Sequence, residues 1–452
     1  MTAPPLPPRL PGGLLLGSGP EAIRDPLAFY TRAQRELGDV VRFRGAPGLR
    51  WFLLSHPDHV EHVLRGNQRG YRKPGRFTGP VRAVVGRGLL ANEGESWLHQ
   101  RRLMQPAFHR GRLDAFARQM GAAAEAAAAR LDEHARAGTP ADLTAEMLRT
   151  TLQVVGTTLF STDVAAGADR VRAAVERVLA HLNRRLNLPV TLPEWVPTPR
   201  NRRFRRALAT LDDLVYGMIR ERRERGGGGD DLLAMLLEAR DADTGERMSE
   251  RQVRDETITL ILAGHETTAA ALGWSWHLLM RHPEAMRRLH AEVDGVLGGR
   301  TPGMDDLPRL RWTRAVFEEA LRLYPPAWAL PREAVADDVV GGFRIPAGSL
   351  VVVCAWVTQR RGDLWAAPER FHPGRFLEEE GGGRVVPFSY YPFGAGARQC
   401  IGSHFALIEA QVVLATLAQR FRLAPLPGRE VPPDATFTLR PGSPVLARVE
   451  RR

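Results

Sequence analysis

The stretch from Glu250 to Arg281 constrains this chain more than any other. Ser249 followed by Gln252 has the capping-box pattern, Met248 and Val253 are placed to form a hydrophobic staple, and His282-Pro283 stops the run. The pattern predicts one helix of roughly 45 Å, at a rise of about 1.5 Å per residue, long enough to cross a whole domain. Its middle (Ile258, Leu260, Ile261, Leu262, Ala263 and Ala269 to Leu272) is apolar on nearly every face, so the helix is buried. The same stretch holds a conflict. Ala263-Gly264-His265-Glu266-Thr267-Thr268 sets a carboxylate, two hydroxyls and a glycine at its centre. Such conflicts tend to mark functional sites; the bland alternative is a threonine bonded back to a carbonyl beside a glutamate that reaches the surface.

Around that helix the chain reads as mainly α with minor β. Pro26–Leu37 is helix-like, Val40–Arg44 and Trp51–Ser55 are strand-like, Ala115–Ala137 is rich in alanine, and Thr144–Phe160 has the spacing of a buried helix. Prolines 189, 193, 197 and 199 interrupt the chain, and Gly226–Gly229 reads as a helix–helix connector. After Asp337 come short strands and turns: Gly341-Gly342 is a turn signal and Ser349–Val357 is β-rich. Residues 1–25 form a Pro/Gly-rich tail expected to be irregular as far as Gly19, and residues 26–452 a single large helical domain with a small β-rich region.

The chain has 452 residues, enough for a sizeable core, and only two cysteines, Cys354 and Cys400, which excludes a disulfide-framed secreted domain. No apolar run is long enough for a membrane anchor, and Leu14–Leu16 beside the prolines does not make a signal peptide, so the expectation is a cytoplasmic protein. The 63 basic and 51 acidic residues leave a formal charge of +12. The two dense clusters, Arg200–Arg206 and Arg220–Arg225, lack the aromatic ladder of a nucleic-acid surface and read as solvated helix faces; no nucleic-acid partner is expected. The excess charge suits attraction of an acidic protein partner.

Cys354 lies inside the apolar run Leu350–Trp356 and reads as core. Cys400 does not. Gly394, Gly396 and Gly402 surround it, Arg398 precedes it, and a helix follows from about Ile401 to Leu414. Glycines permit tight turns and close approach to a flat ligand or a sulfur atom, and a helix N-terminus favours a thiolate.

The segment from Phe393 to Gly402 matches F-x-x-G-x-R-x-C-x-G, and the chain is thereby identified as resembling the cytochrome P-450 superfamily. Further matches follow the family's order: Trp97 and Arg101 resemble W-x-x-x-R, Ala263–Thr268 the oxygen-activation motif, Glu319 and Arg322 the E-x-x-R motif, and Pro368–Phe371 with Pro373, Arg375 and Phe376 the meander. The resemblance implies the P-450 fold and a heme-thiolate monooxygenase, an oxidoreductase acting on paired donors with incorporation of oxygen. It implies heme b (iron protoporphyrin IX) with Cys400 as the metal ligand, and Trp97, Arg101, Arg332, Phe393 and Arg398 as cofactor-binding residues. Glu266 and Thr267 become the catalytic acid–alcohol pair, and Gly264 leaves room for oxygen. Glu319 and Arg322 form a buried brace. Where many members carry His-Arg, this chain has Gln359-Arg360, which puts one propionate contact in doubt.

Substrate lining is expected from 76–90, 182–196, 261–264, 327–330 and 436–439, with Val84, Val85, Leu188, Val190, Trp195, Trp328, Leu330 and Phe437 as apolar members. A hydrophobic small molecule and O2 follow, with electrons from a separate acidic ferredoxin or flavodoxin and its reductase. Tyr324–Trp328 with Val357–Arg360 resembles carotenoid-hydroxylating relatives, and Leu192–Pro199 resembles relatives acting on fatty acids or terpenoids. The alternatives are peroxygenase or isomerase chemistry, or a non-catalytic heme carrier or sensor.

Overall fold

The structure, a computed structural model, describes residues 4–452 except 14–16, 46–48, 109, 162–167, 188–191, 225–230, 241–244, 246, 381, 383 and 384. Leu188, Pro189, Val190, Gly226–Gly229 and Leu14–Leu16 lie outside the described residues. The chain forms two compact units. One comprises Met1–Phe77, Glu318–Cys400 and Pro433–Arg440, the other Thr78–Phe317, Ile401–Pro432 and Pro441–Arg452.

The first unit is built on a five-stranded sheet. Its strands are β1 (Val40–Arg44), β2 (Arg50–Leu54), β3 (Tyr71–Arg72), β4 (Leu330–Ala334) and β5 (Leu350–Val353), in the order β1-β2-β5-β4-β3. β2 and β5 pair in parallel, Trp51 opposite Leu350, and the other pairs are antiparallel. β2 and β5 are buried on both faces, which is why they read as continuous apolar runs. Alternate side chains feed two clusters. Trp51, Leu53 and Val352 join Phe29, Tyr30 and Phe43, whereas Phe52, Leu54, Val351 and Val353 join Val60, Leu64 and Tyr71.

The tail is more ordered than expected. Arg42 donates to Pro8 O (2.8 Å) and Leu10 to Arg42 O (3.0 Å), so the proline-rich segment lies along β1 with Leu10 buried. Gly341 and Gly342, both at positive φ, make the two-residue turn of the hairpin Asp338–Val340/Phe343–Ile345. The β-rich expectation over 349–357 holds only as far as Val353. Ala355–Thr358 is a helical turn, closed by Thr358 N–H on Cys354 O (3.0 Å).

The second unit is helical. Its principal helices are α1 (Gly94–Met104), α2 (Leu143–Phe160), α3 (Ala168–Asn187), α4 (Pro199–Glu224), α5 (Glu250–Arg281) and α6 (Ser403–Arg420), with a further helix Arg110–Ala137. Ser249 and Gln252 form the capping box that starts α5, and Asp142 caps α2 by accepting from Thr144 N–H (2.9 Å). A three-stranded sheet places Leu446–Arg451 between Ala141–Asp142 and Phe421–Pro425. Among the described residues no helix is long and apolar enough to cross a membrane.

Candidate active site

In the first unit, Cys400 sits at the mouth of a closed loop. Cys400 N–H donates to Phe393 O (2.8 Å), which brings the two ends of the glycine segment together. Inside the ring, Gly394 N–H turns back on Tyr391 O (2.9 Å), and Gly394 and Gly396 both adopt φ +69°. A Cβ on Gly396 would overlap the Leu64 carbonyl, so only glycine lets the loop lie against that turn. Ala397 N–H donates to Gln68 Oε1 (3.1 Å), and Tyr391 O–H donates to Thr358 Oγ1 (2.9 Å). The loop is thus held at both shoulders while Cys400 itself is exposed. Cys354 is the opposite case: it is buried, and burial pushes its thiol up to about 12.

Two predicted cofactor-binding arginines accompany the loop. Arg398 ends the turn Gly396–Arg398, and Arg332 lies on β4, whose Leu330 Cδ1 is 3.9 Å from the Cβ position of Gly394. Both are partly buried. An accessible soft sulfur, glycines that leave a flat face, and nearby guanidinium groups fit a heme, whose iron takes thiolate and whose propionates take cations.

The brace behind the loop is tighter than the E-x-x-R motif alone suggests. Arg322 donates to both oxygens of Glu319 (2.7 and 2.8 Å) and to the carbonyls of Gln359 (2.8 Å), Pro368 (2.7 Å) and Arg370 (3.3 Å). Glu319 also accepts from Arg375 Nε (3.2 Å) and His372 N–H (3.0 Å). Gln359 answers the doubt raised over its position. Its Nε2 donates to Leu321 O (3.1 Å) and Arg322 O (3.0 Å), and its Oε1 accepts from Tyr391 N–H (3.0 Å), so it ties the brace to the loop shoulder. Arg360 beside it stacks on Trp356, 3.3 Å from the ring centroid, and burial lowers its pKa to about 10.

In the second unit, α5 is buried from Val253 to Trp276 except for Ala263, Gly264 and Thr267, which form an accessible strip one turn long. Thr267 O–H donates to Ala263 O (2.6 Å), the back-bond foreseen as the bland reading, while Glu266 on the neighbouring face is buried. Gly264 serves packing: a Cβ there would come 3.1 Å from Val155 Cγ2 on α2. His265 locks the same contact from the side, with Nε2 2.9 Å from Leu148 O, and Thr151 O–H donates to His265 O (3.0 Å). Burial lowers the His265 pKa to about 4, so the ring is neutral and Nε2 donates. On α1, the Arg101 guanidinium lies 6.0 Å from the ring centroid of buried Trp97.

Sequence reasoning missed the carboxylates that set the loop before α1. Asp255 accepts from Arg87 N–H (2.8 Å) and Glu256 from Leu89 N–H (2.9 Å). A Cβ on Gly86 would overlap the Asp255 carboxylate and one on Gly88 the Thr259 hydroxyl. The signal was present as a second charged group, Arg254-Asp255-Glu256, inside a buried helix.

The expected substrate lining divides. Phe437 stacks on Phe77 (centroids 5.8 Å, 11°) and is half-buried, as are Ala327 and Leu330. Val84 and Val85 are core, and Trp328 is tied by Nε1 to Thr436 O (3.1 Å) with its ring 6.1 Å from Tyr30. Trp195 corrects the expectation outright: it is 76% exposed, turned to solvent.

The family model for Cytochrome P450 matches residues 4–446. The chain is 39% identical to "Cyclooctatin synthase" of Streptomyces melanosporofaciens, over 96% of this chain and 93% of that protein. It is 38% identical to "Pentalenene oxygenase" of Streptomyces avermitilis (95% and 94%) and 33% identical to "Protein LUTEIN DEFICIENT 5, chloroplastic" of Arabidopsis thaliana (85% and 68%). The crystal structure of the cytochrome P450DA heme domain superposes with a TM-score of 0.90 at 27% identity, covering 100% of this chain and 98% of that one. The chain belongs to the cytochrome P450 family. It has the family's fold, mainly α with minor β, and is a heme-thiolate monooxygenase with heme b as cofactor.

Proposed function

We propose that this chain hydroxylates a cyclic terpenoid, with Cys400 as the thiolate ligand of the heme iron. The observation that carries the assignment of Cys400 is its exposure at the mouth of a glycine loop closed by Cys400 N–H on Phe393 O and held by Gln68 on Ala397 N–H. Heme, when bound, supplies oxygen activation and the insertion of one oxygen atom into a C–H bond. Phe393 would pack beside the sulfur; Arg332 and Arg398, and on α1 Arg101 with the Trp97 indole N–H, would bind the propionates. Thr267 presents its hydroxyl from the accessible strip of α5; with its proton given to Ala263 O, the oxygen is left as an acceptor that positions a water or a proton donor. Glu266, one residue away, holds and passes the proton. The pair disfavours the peroxygenase alternative.

The terpenoid reading rests on relatives named as oxygenases of pentalenene and of cyclooctat-9-en-7-ol. The half-buried Phe77–Phe437 stack offers an apolar wall of the right chemistry. Electrons come from an acidic ferredoxin or flavodoxin and its reductase, drawn by the charge of +12, and the protein works in the cytoplasm. The test is the reduced spectrum with carbon monoxide, followed by turnover of cyclic terpenes. A strongly red-shifted Soret band that disappears in Cys400→Ser supports the ligand. An unshifted band overturns it.

A further inference from the structure

One arginine lies inside the buried run of α5, and three helices meet on it. Arg254, 8% exposed, uses all three nitrogens of its guanidinium. Nε donates to Asp212 Oδ1 on α4 (2.8 Å), and Nη2 donates to the same oxygen. Nη1 donates to Val84 O (2.9 Å) and to Asp255 Oδ1, its neighbour on α5 (2.8 Å). Val84 O is among the last carbonyls of the helix Gly75–Val85, where helical partners run out and a cation is favoured. Asp255 carries the connection onward. Its Oδ2 accepts from Arg87 N–H (2.8 Å), and Gly86, at φ +54°, lets the chain pass close against the carboxylate.

Beyond Gly86 the chain lies on α5. Gly88 seats on the Thr259 hydroxyl, which itself donates to Asp255 O (2.7 Å). Glu256 Oε2 accepts from Leu89 N–H (2.9 Å), and Gln100 of α1 donates to Arg87 O (3.0 Å). Thr259 and Ala263 are four residues apart, so they share a face of the helix and stand about 6 Å apart along its axis. The segment 86–90 is therefore seated one turn of α5 away from the accessible strip Ala263, Gly264 and Thr267, with Leu89 and Leu90 half-buried.

We propose that Arg254 is a positioning residue that fixes the segment 86–90 beside this strip and so sets the size of molecule admitted to it. The proposal rests on the reading of 76–90 as substrate lining. Leu89 and Leu90 are the apolar side chains the segment offers as a wall. Without the guanidinium, Asp212, Asp255 and the Val84 carbonyl would meet with no cation between them, and their negative charge would push the segment away from α5. The Asp212 arm adds α4 to the same body, so the wall cannot shift without breaking bonds to that helix as well. Lysine keeps the charge but has no fork to reach acceptors on three helices at once.

The test uses ferric holoenzyme and two heme ligands of different size, imidazole and 4-phenylimidazole. Their entry is followed by the shift of the Soret band, and hydrogen exchange reports on the Arg87 amide. In Arg254→Gln that amide should exchange about tenfold faster and 4-phenylimidazole should enter about tenfold faster, the effect of one lost charge-assisted hydrogen bond, while imidazole entry stays near parental. Asp212→Ala, at a part-exposed position, removes two of the four bonds and should give the same split to a smaller degree. It carries the test where Arg254→Gln yields no holoprotein. Asp212→Glu, which restores a carboxylate, should bring both readouts back toward the parent. Parental exchange of Arg87 in both variants overturns the proposal and leaves the reading of 76–90 standing. Faster exchange with both ligands accelerated alike makes Arg254 a structural brace and overturns its role in admission. Faster exchange with neither ligand altered removes 76–90 from the substrate wall, and the proposal with it.

Discussion

Arg322→Ala removes a buried, heavily bonded side chain of the first unit. Its guanidinium makes five hydrogen bonds, two to Glu319 and three to backbone carbonyls of the meander and its approach, and neither Arg322 nor Glu319 has any exposed surface. Breaking a buried ion pair costs roughly 3–5 kcal/mol, because the remaining charge is stranded. Arg375 and the His372 amide still reach Glu319, which keeps that share near the lower end. The uncapped carbonyls of Gln359 and Pro368 add about 1 kcal/mol each, while Arg370 O keeps its bond from Arg375 Nη2 (3.4 Å). The sum, about 5 kcal/mol, is comparable with the whole stability of an ordinary domain, about 5–15 kcal/mol. The meander should therefore come loose, and the loop that holds Cys400 with it. Arg375→Ala gives the contrast: it removes one bond to Glu319 and two part-exposed ones, to Ala367 O and Arg370 O, while Arg322 stays, at about 2 kcal/mol. Arg322→Lys keeps the charge but cannot span five acceptors, so it falls between. Holoprotein yield and the urea midpoint of whatever folds measure the order. Arg322→Ala with parental yield, or with the midpoint of Arg375→Ala, would refute the reasoning.

Thr267→Ala should retain the heme spectrum but divert electrons to hydrogen peroxide, and a peroxide assay against electron consumption checks this; unchanged coupling removes Thr267 from the mechanism. Glu409, fully buried in α6 with neither oxygen bonded among the described residues, has its carboxyl held well above the usual range by burial. An acid whose folded pKa is raised loses stability as pH rises past its unfolded value, about 4.3, at up to about 1.4 kcal/mol per pH unit until the folded value is reached. Glu409→Gln should flatten that decline and melt higher than the parent at mildly alkaline pH; identical pH profiles would contradict the assignment. Turnover with an acidic ferredoxin should fall as ionic strength rises, and a flat response would exclude electrostatic docking.

Periodicity and local chemistry made much of this protein legible. The apolar sides of α5, its capping box and its proline stop are local properties, so its course and burial could be read before any neighbour was known. The glycines around Cys400 likewise declared an unusual backbone, because φ +69° is cheap only without a Cβ. Which atoms those features meet is a long-range matter. Gln359 looked like a lost cofactor contact and is a strut between a helix end and the loop, since its partners stand 37 and 32 residues away. Gly264, expected from the motif to leave room for oxygen, also marks the close approach of α5 to α2. Trp195 looked like pocket lining and is held out in solvent by Asn201, six residues further on, whose role depends on which carbonyls the turn brings to it. Pattern and propensity act over a turn of helix or a pair of strands, so the sequence by itself determined the elements, the buried faces and the identity of the unusual residues. The direction of a polar side chain is decided by whichever buried donor or acceptor would otherwise go unsatisfied, and only the tertiary structure brings those groups within reach.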